Sequence, residues 1–138
     1  MDLSVATSLA EQLGNERQQL CSPVAARMLR AFPELNRSLR LEESYSPTNR
    51  LSEMAVERLN ELVRSVLLFE APSLAEHELR WAYGVLPPHG VTFEHQSTMV
   101  RWYFEEVRKL QLSSEEHTLT YELERFLLSC VRQVYRRN

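Results

Sequence analysis

Aspartate, lysine and glycine are nearly missing from this chain of 138 residues. One aspartate, Asp2, stands beside eighteen glutamates, and one lysine, Lys109, beside fifteen arginines. Paired-Asp hydrolysis, Asp-rich calcium loops and a Ser-His-Asp triad all need aspartate in the body of the chain, so these classes are excluded. Three glycines, Gly14, Gly84 and Gly90, supply no Gly-rich phosphate loop. Two cysteines, Cys21 and Cys130, form no short-spaced metal or redox motif, which predicts a reducing compartment and no metal site. No apolar run approaches the roughly 18 residues that span a bilayer. Residues 1–10 also lack the basic start and apolar stretch of a leader, so the expectation is a soluble cytoplasmic protein without a membrane partner. With a net charge of -3 there is no positive field to draw in phosphate backbones, and no nucleic-acid partner is expected.

What the chain does have is an ordinary globular balance, 43% hydrophobic and 25% charged residues, in a length that suits one domain. Residues 1–138 are therefore read as a single all-α domain, with 1–20 as an N-terminal helix or packed arm and 22–138 as the core. The sheet signal is weak because β-branched residues are scattered. From Thr48 to Phe69, Leu51, Met54, Ala55, Leu59, Leu62, Val63, Val66 and Leu67 recur at three and four residues, which predicts an amphipathic helix. Two more long helices are predicted, Thr92 to about Gln111 and Ser114 to about Arg136. Ser113 and Glu116 have capping-box spacing at the start of the last one. Upstream, Leu3 to Gln19 is a less regular helix. Ser22 reads as a cap with Pro23 in the first helical position, and Pro33 interrupts the helix that follows. A short bent piece then runs to about Leu41, and Glu42 to Pro47 forms a loop. Pro72-Ser73 opens a short helix, Leu74 to about Ala82, and Tyr83 to Gly90 is a loop.

This order of helices resembles a globin over nearly the whole chain. Phe32-Pro33-Glu34-Leu35 is similar to the proline that opens the short third helix of globins. Arg80-Trp81-Ala82-Tyr83-Gly84-Val85 is similar to the His-x-x-Tyr-Gly-Val run around the haem ligand of bacterial globins, and Phe104-Glu105-Glu106-Val107 resembles the Leu-Glu-Glu-Val ending of the next helix. The residues of the haem chemistry depart from that pattern. Arg80 fills the iron-ligand position, where a guanidinium that stays protonated is no ordinary ligand, and Leu39 replaces the phenylalanine that wedges the haem. The resemblance therefore implies a haem-free member of the superfamily, similar to the N-terminal sensor domains of bacterial stressosome proteins, with a regulatory and non-enzymatic role. Phycobiliproteins are more distantly similar, but Asp2 cannot supply the aspartate their bilin uses. The alternative is a true haem protein with His77, one turn earlier, as the iron ligand.

If a pocket persists without haem, the resemblance places Leu51, Met54, Trp81, Met99 and Tyr103 in its walls, where a small hydrophobic ligand would bind. His89 is expected to be solvated, and His95 and His117 lie in first helical turns, where a positive charge gains nothing from the helix dipole. From Thr92 onward the apolar residues cover an arc of roughly 200° at 100° per residue, wider than one core contact needs, as in a central helix packed on both sides. In the last helix, Leu119, Leu123, Phe126, Leu127, Cys130 and Val134 form the core stripe. Tyr121, Leu128 and Tyr135 form a second, heptad-spaced stripe. With Trp102 or Phe104 beside it, that stripe is expected to build a homodimer interface or to receive a regulatory protein partner. No nucleophile with an adjacent base can be assembled from short motifs, so an enzyme is not expected.

Overall fold

The computed structural model of this chain describes residues 2–34, 48–69, 73, 77 and 91–136, with side chains from Met54 onward in the second stretch. The expectations for residues 35–47, for the short helix apart from Ser73 and His77, and for the loop to Gly90 lie outside the described residues. So do those for Leu39, Arg80, Trp81 and the side chain of Leu51. All regular structure among the described residues is helical, as the sequence predicts: α1 (Leu3–Asn15), α2 (Arg17–Ala31), α3 (Thr48–Phe69), α4 (Phe93–Val107) and α5 (Ser114–Arg136). One hydrophobic cluster takes residues from all five helices.

The lone aspartate starts α1. Asp2 accepts the backbone N–H groups of Ser4 at 2.8 Å and Val5 at 3.4 Å, filling two donors that the first turn leaves free. The Ser4 hydroxyl and these N–H groups hold its carboxyl below the ordinary Asp value. Ala6, Leu9, Ala10 and Leu13 follow at helical spacing and are fully buried. Of the two expectations for residues 1–20, a helix or a packed arm, the helix, α1, is what the chain forms from Leu3 to Asn15. Alanines at positions 6 and 10 keep its inner face low, so that α3 approaches closely. A Cβ on Gly14 would lie 2.9 Å from the Arg64 guanidinium, so glycine there leaves room for this side chain.

Glu16, at φ -101° and ψ 17°, breaks the helix, and α2 begins at Arg17. Pro23 therefore sits inside α2 instead of at its first position, a correction to the Ser22 cap. The added turns bury Leu20 and Cys21 on the same face as Val24, Ala25 and Met28, and this packing outweighs the proline's missing N–H and its steric penalty. Pro33 acts as expected. Phe32 takes the extended conformation required before proline, φ -128° and ψ 72°, and α2 stops at Ala31.

α3 runs antiparallel to α1, since Asn60 meets Leu13 while Arg64, farther along, meets the earlier Ala10. Its buried face consists of Val56, Leu59, Asn60, Leu62, Val63, Val66 and Leu67. Met54 and Ala55, read from the sequence as part of the stripe, are exposed. The helix is rotated so that a polar residue, Asn60, enters the core. α4 packs against α2, α3 and α5, which accounts for its wide apolar arc. It ends at Val107, four residues earlier than predicted, where the backbone tightens into i to i+3 bonds: Lys109 N–H to Glu106 O at 3.1 Å and Leu110 N–H to Val107 O at 3.0 Å. α5 returns antiparallel to α4. Its core stripe is buried at Leu119, Leu123, Leu127, Cys130 and Val134, with Phe126 partly buried against it. Ser113 and Glu116 make both bonds of the predicted capping box, at 2.8 and 3.1 Å. Glu116 is itself buried, and its second oxygen accepts Ser8 Oγ at 3.0 Å and Gln12 Nε2 at 3.4 Å, tying the start of α5 to α1.

Candidate functional site

Two polar constellations stand out from the apolar packing, and both use α4. The deeper one joins three helices. Tyr103 is fully buried, and its hydroxyl donates to Asn60 Oδ1 of α3, also fully buried. Asn60 Nδ2 in turn donates to the carbonyl of Leu13 at 3.2 Å. That carbonyl belongs to the last turn of α1, where helical partners run out, so Asn60 caps α1 from the side. Arg64 Nε reinforces the contact by donating to Ala10 O at 2.9 Å. Burial, more than the nearby Cys21 and Glu61, pushes the Tyr103 phenol well above its ordinary value near 10.0. The hydroxyl is therefore a fixed donor, and the relay suits anchoring better than acid–base work at neutral pH.

The second constellation lies where α2 ends and α4 begins. Thr92 caps α4 by accepting His95 N–H on Oγ1 at 3.1 Å, and its own N–H donates to His95 Nδ1 at 3.0 Å. The other ring nitrogen lies 2.9 Å from Glu34 Oε2. The His95 side chain is buried, and the edge of Phe32 meets it with centroids 4.8 Å apart. Phe32 also stacks on Trp102 at 6.1 Å. Arg27 covers the Trp102 ring at 4.0 Å while pairing with Glu105 at 2.8 Å. This chain of contacts binds the last turns of α2 and the residues just after it to α4 from its first turn, at His95, to its last, at Glu105. The sequence signal for it was Thr-x-x-His at capping-box spacing, in which histidine replaces the usual Glu or Gln.

Of the proposed pocket walls, Trp81 and the side chain of Leu51 lie outside the described residues. Tyr103 is interior, Met99 is partly buried, and Met54 is 56% exposed and cannot line an interior space, a correction that follows from the rotation of α3. His77 is helical and exposed. Gln96 lies on the inward face with Val100 and Tyr103, and its buried Nε2 has no hydrogen-bond partner among the described residues. Among those residues no group of three or more His, Cys, Asp or Glu could hold a metal ion. Nor is any helix there long and apolar enough to cross a membrane.

The interface stripe divides. Phe104 is fully buried, with its ring edge-on to Tyr103 at 5.1 Å, which corrects its placement at a subunit contact. Tyr135 is half-buried. It donates to Val91 O at 3.1 Å and packs on Phe93, so it serves its own chain as the clasp between the end of α5 and the start of α4. Trp102 is half-buried in the cluster around Phe32. Leu128 is partly buried, and Tyr121 is 53% exposed beside Arg108, whose guanidinium lies 4.2 Å from its ring centroid. Arg108 also meets Glu124 at 2.7 Å, a charge contact without hydrogen-bond alignment. Asn60 and Glu34 were missed as organising polar groups, and Glu116 was read as the capping-box partner of Ser113 without its bonds to Ser8 and Gln12. For Asn60 the available signal was a polar residue between Leu59 and Val63 in an otherwise apolar stripe.

Comparison of this chain with protein-family models, with curated proteins and with solved structures finds no match.

Proposed function

We propose that this chain is a haem-free, globin-like regulatory module that works by binding protein, including a second copy of itself, and not by transforming a substrate. The observation that carries this reading is the Tyr103–Asn60 contact, since the space between α3 and α4 is occupied at that point by a buried ring bonded to the opposite helix. The exposure of His77 adds to it, because an iron ligand has to point into a pocket. Gln96 supplies an interior handle for a small hydrophobic ligand, a single amide donor. Addition of haemin to the purified chain is expected to give no sharp Soret band. A band that appears and is lost in His77→Ala would establish the haem protein instead.

In this reading the contact surface is what the fold leaves of the second stripe, Tyr121 and Leu128 on α5, with exposed Arg125 and Arg132 at its rim. A two-fold contact needs one patch that complements its own copy, and an antiparallel pair of α5 helices provides it. Light scattering at micromolar concentration is expected to show a dimer, and Leu128→Glu is expected to weaken it by about thirtyfold or more. A wild-type monomer, or a dimer indifferent to Leu128→Glu, would remove this surface from the account.

A further inference from the structure

The cap on α4 differs chemically from the one on α5. At Ser113 the partner three residues on is a carboxylate, which can only accept. At Thr92 it is an imidazole, which has a second protonation state. A backbone N–H can only donate, so Nδ1 of His95, 3.0 Å from Thr92 N, carries no proton in this arrangement. Nε2 therefore carries the ring proton and donates it to Glu34 at 2.9 Å. The neutral ring uses its two nitrogens in opposite senses, accepting from α4 and donating toward the end of α2.

We propose that His95 is a proton-operated latch between α2 and α4. A proton taken from solvent by Nδ1 forms a second ring N–H facing the Thr92 N–H. Two donors then oppose each other and that bond of the cap is lost. The Nε2–H bond to Glu34 becomes a charge-assisted pair and holds. Protonation thus releases the start of α4 while the ring stays tied to Glu34, three residues past the end of α2.

The surrounding charges act on the ring in both directions. Glu34 is the charged group bonded to the ring, and its side chain is 53% exposed. From α2, Arg27 is held apart from the ring by Trp102 and Glu105. On α4, exposed Glu94 precedes His95, and the positive end of the helix opposes an imidazolium. α3 reaches α4 at Tyr103, about two turns away, and α5 reaches the start of α4 through the uncharged Tyr135. The latch does not rest on the haem-free reading, since the argument uses only the contacts of Thr92, His95 and Glu34.

NMR of the ring nitrogens and backbone amides of the full chain, followed as the pH is lowered from about 8 until the ring charges, tests it. At the upper end Nδ1 is expected bare and Nε2 protonated. As the ring charges, hydrogen-exchange protection at the Thr92 amide, corrected for intrinsic pH dependence, is expected to fall about tenfold, the scale of one lost cap. The Ser113 and Glu116 amides should not follow. His95→Gln, whose amide oxygen can accept from Thr92 without titrating, should keep its protection throughout. In Glu34→Gln the loss at Thr92 should persist once the ring is charged, and this variant decides the matter if His95→Gln does not fold. A proton on Nδ1 at the upper end would overturn the proposal. So would Thr92 protection unmoved by ring charging, or a loss retained in His95→Gln.

Discussion

Truncating Phe104 to alanine is expected to lower the unfolding free energy by about 3–5 kcal/mol, with no dependence on protein concentration. The ring is fully buried, edge-on to Tyr103, inside the cluster shared by all five helices. Its removal loses the transfer free energy of a phenyl group and leaves a cavity that rigid neighbours close only in part. Denaturant titration should show a lower midpoint with an unchanged slope. An interface residue would behave differently, since its loss would be felt through dissociation and would diminish as concentration rises. A change below about 1 kcal/mol would return Phe104 to the surface.

The second large effect is expected at Asn60. Asn60→Leu keeps much of the side-chain volume but removes the acceptor of the Tyr103 hydroxyl and the donor to Leu13 O. Two groups buried among α1, α3 and α4 then have no partner, at about 1–3 kcal/mol each, so a total loss of about 2–6 kcal/mol is expected. Tyr103→Phe should cost less, because it strands only the Asn60 oxygen. With both changes together Leu13 O alone is stranded, so the double variant should lose less than the sum of the two by about 1 kcal/mol or more. Strict additivity would mean that the two side chains act separately.

The same relay predicts a dependence on alkaline pH. Tyr103 is held well above its ordinary value near 10.0, so the fold binds the neutral phenol more tightly than the unfolded chain does. Its contribution is complete below pH about 10 and is lost as pH rises further, because the unfolded chain then releases a proton that the folded chain keeps. Tyr103→Phe should flatten that alkaline decline relative to wild type.

The sequence was most legible where an interaction is local. Helical periodicity, the Ser113–Glu116 box and the stop before Pro33 depend on residues within one turn of one another, and the chain order displays them directly. The core stripe of α5 could be read for the same reason, because its spacing alone defines a face. Pro23 misled because its local preference for a helix start was outweighed by Leu20 and Cys21, which reach a core built from distant segments. The rotation of α3 was equally hidden. Met54 and Val56 are both apolar, and only the antiparallel seat of α1 against Asn60 and Arg64 decides which of them is covered.

The all-α class and the seams between helices were thus determined by the sequence itself, since backbone hydrogen bonding and side-chain spacing within a helix involve near neighbours. Depth and partnership were decided by the tertiary structure. Phe104 and Tyr121 carry similar aromatic rings at plausible surface positions, yet one is fully buried and the other 53% exposed. His95 and His117 both occupy first turns, and only His95 has a residue 61 positions earlier in the chain brought to its second nitrogen. Such outcomes depend on which helix lies opposite, and periodicity along a single helix carries no information about that.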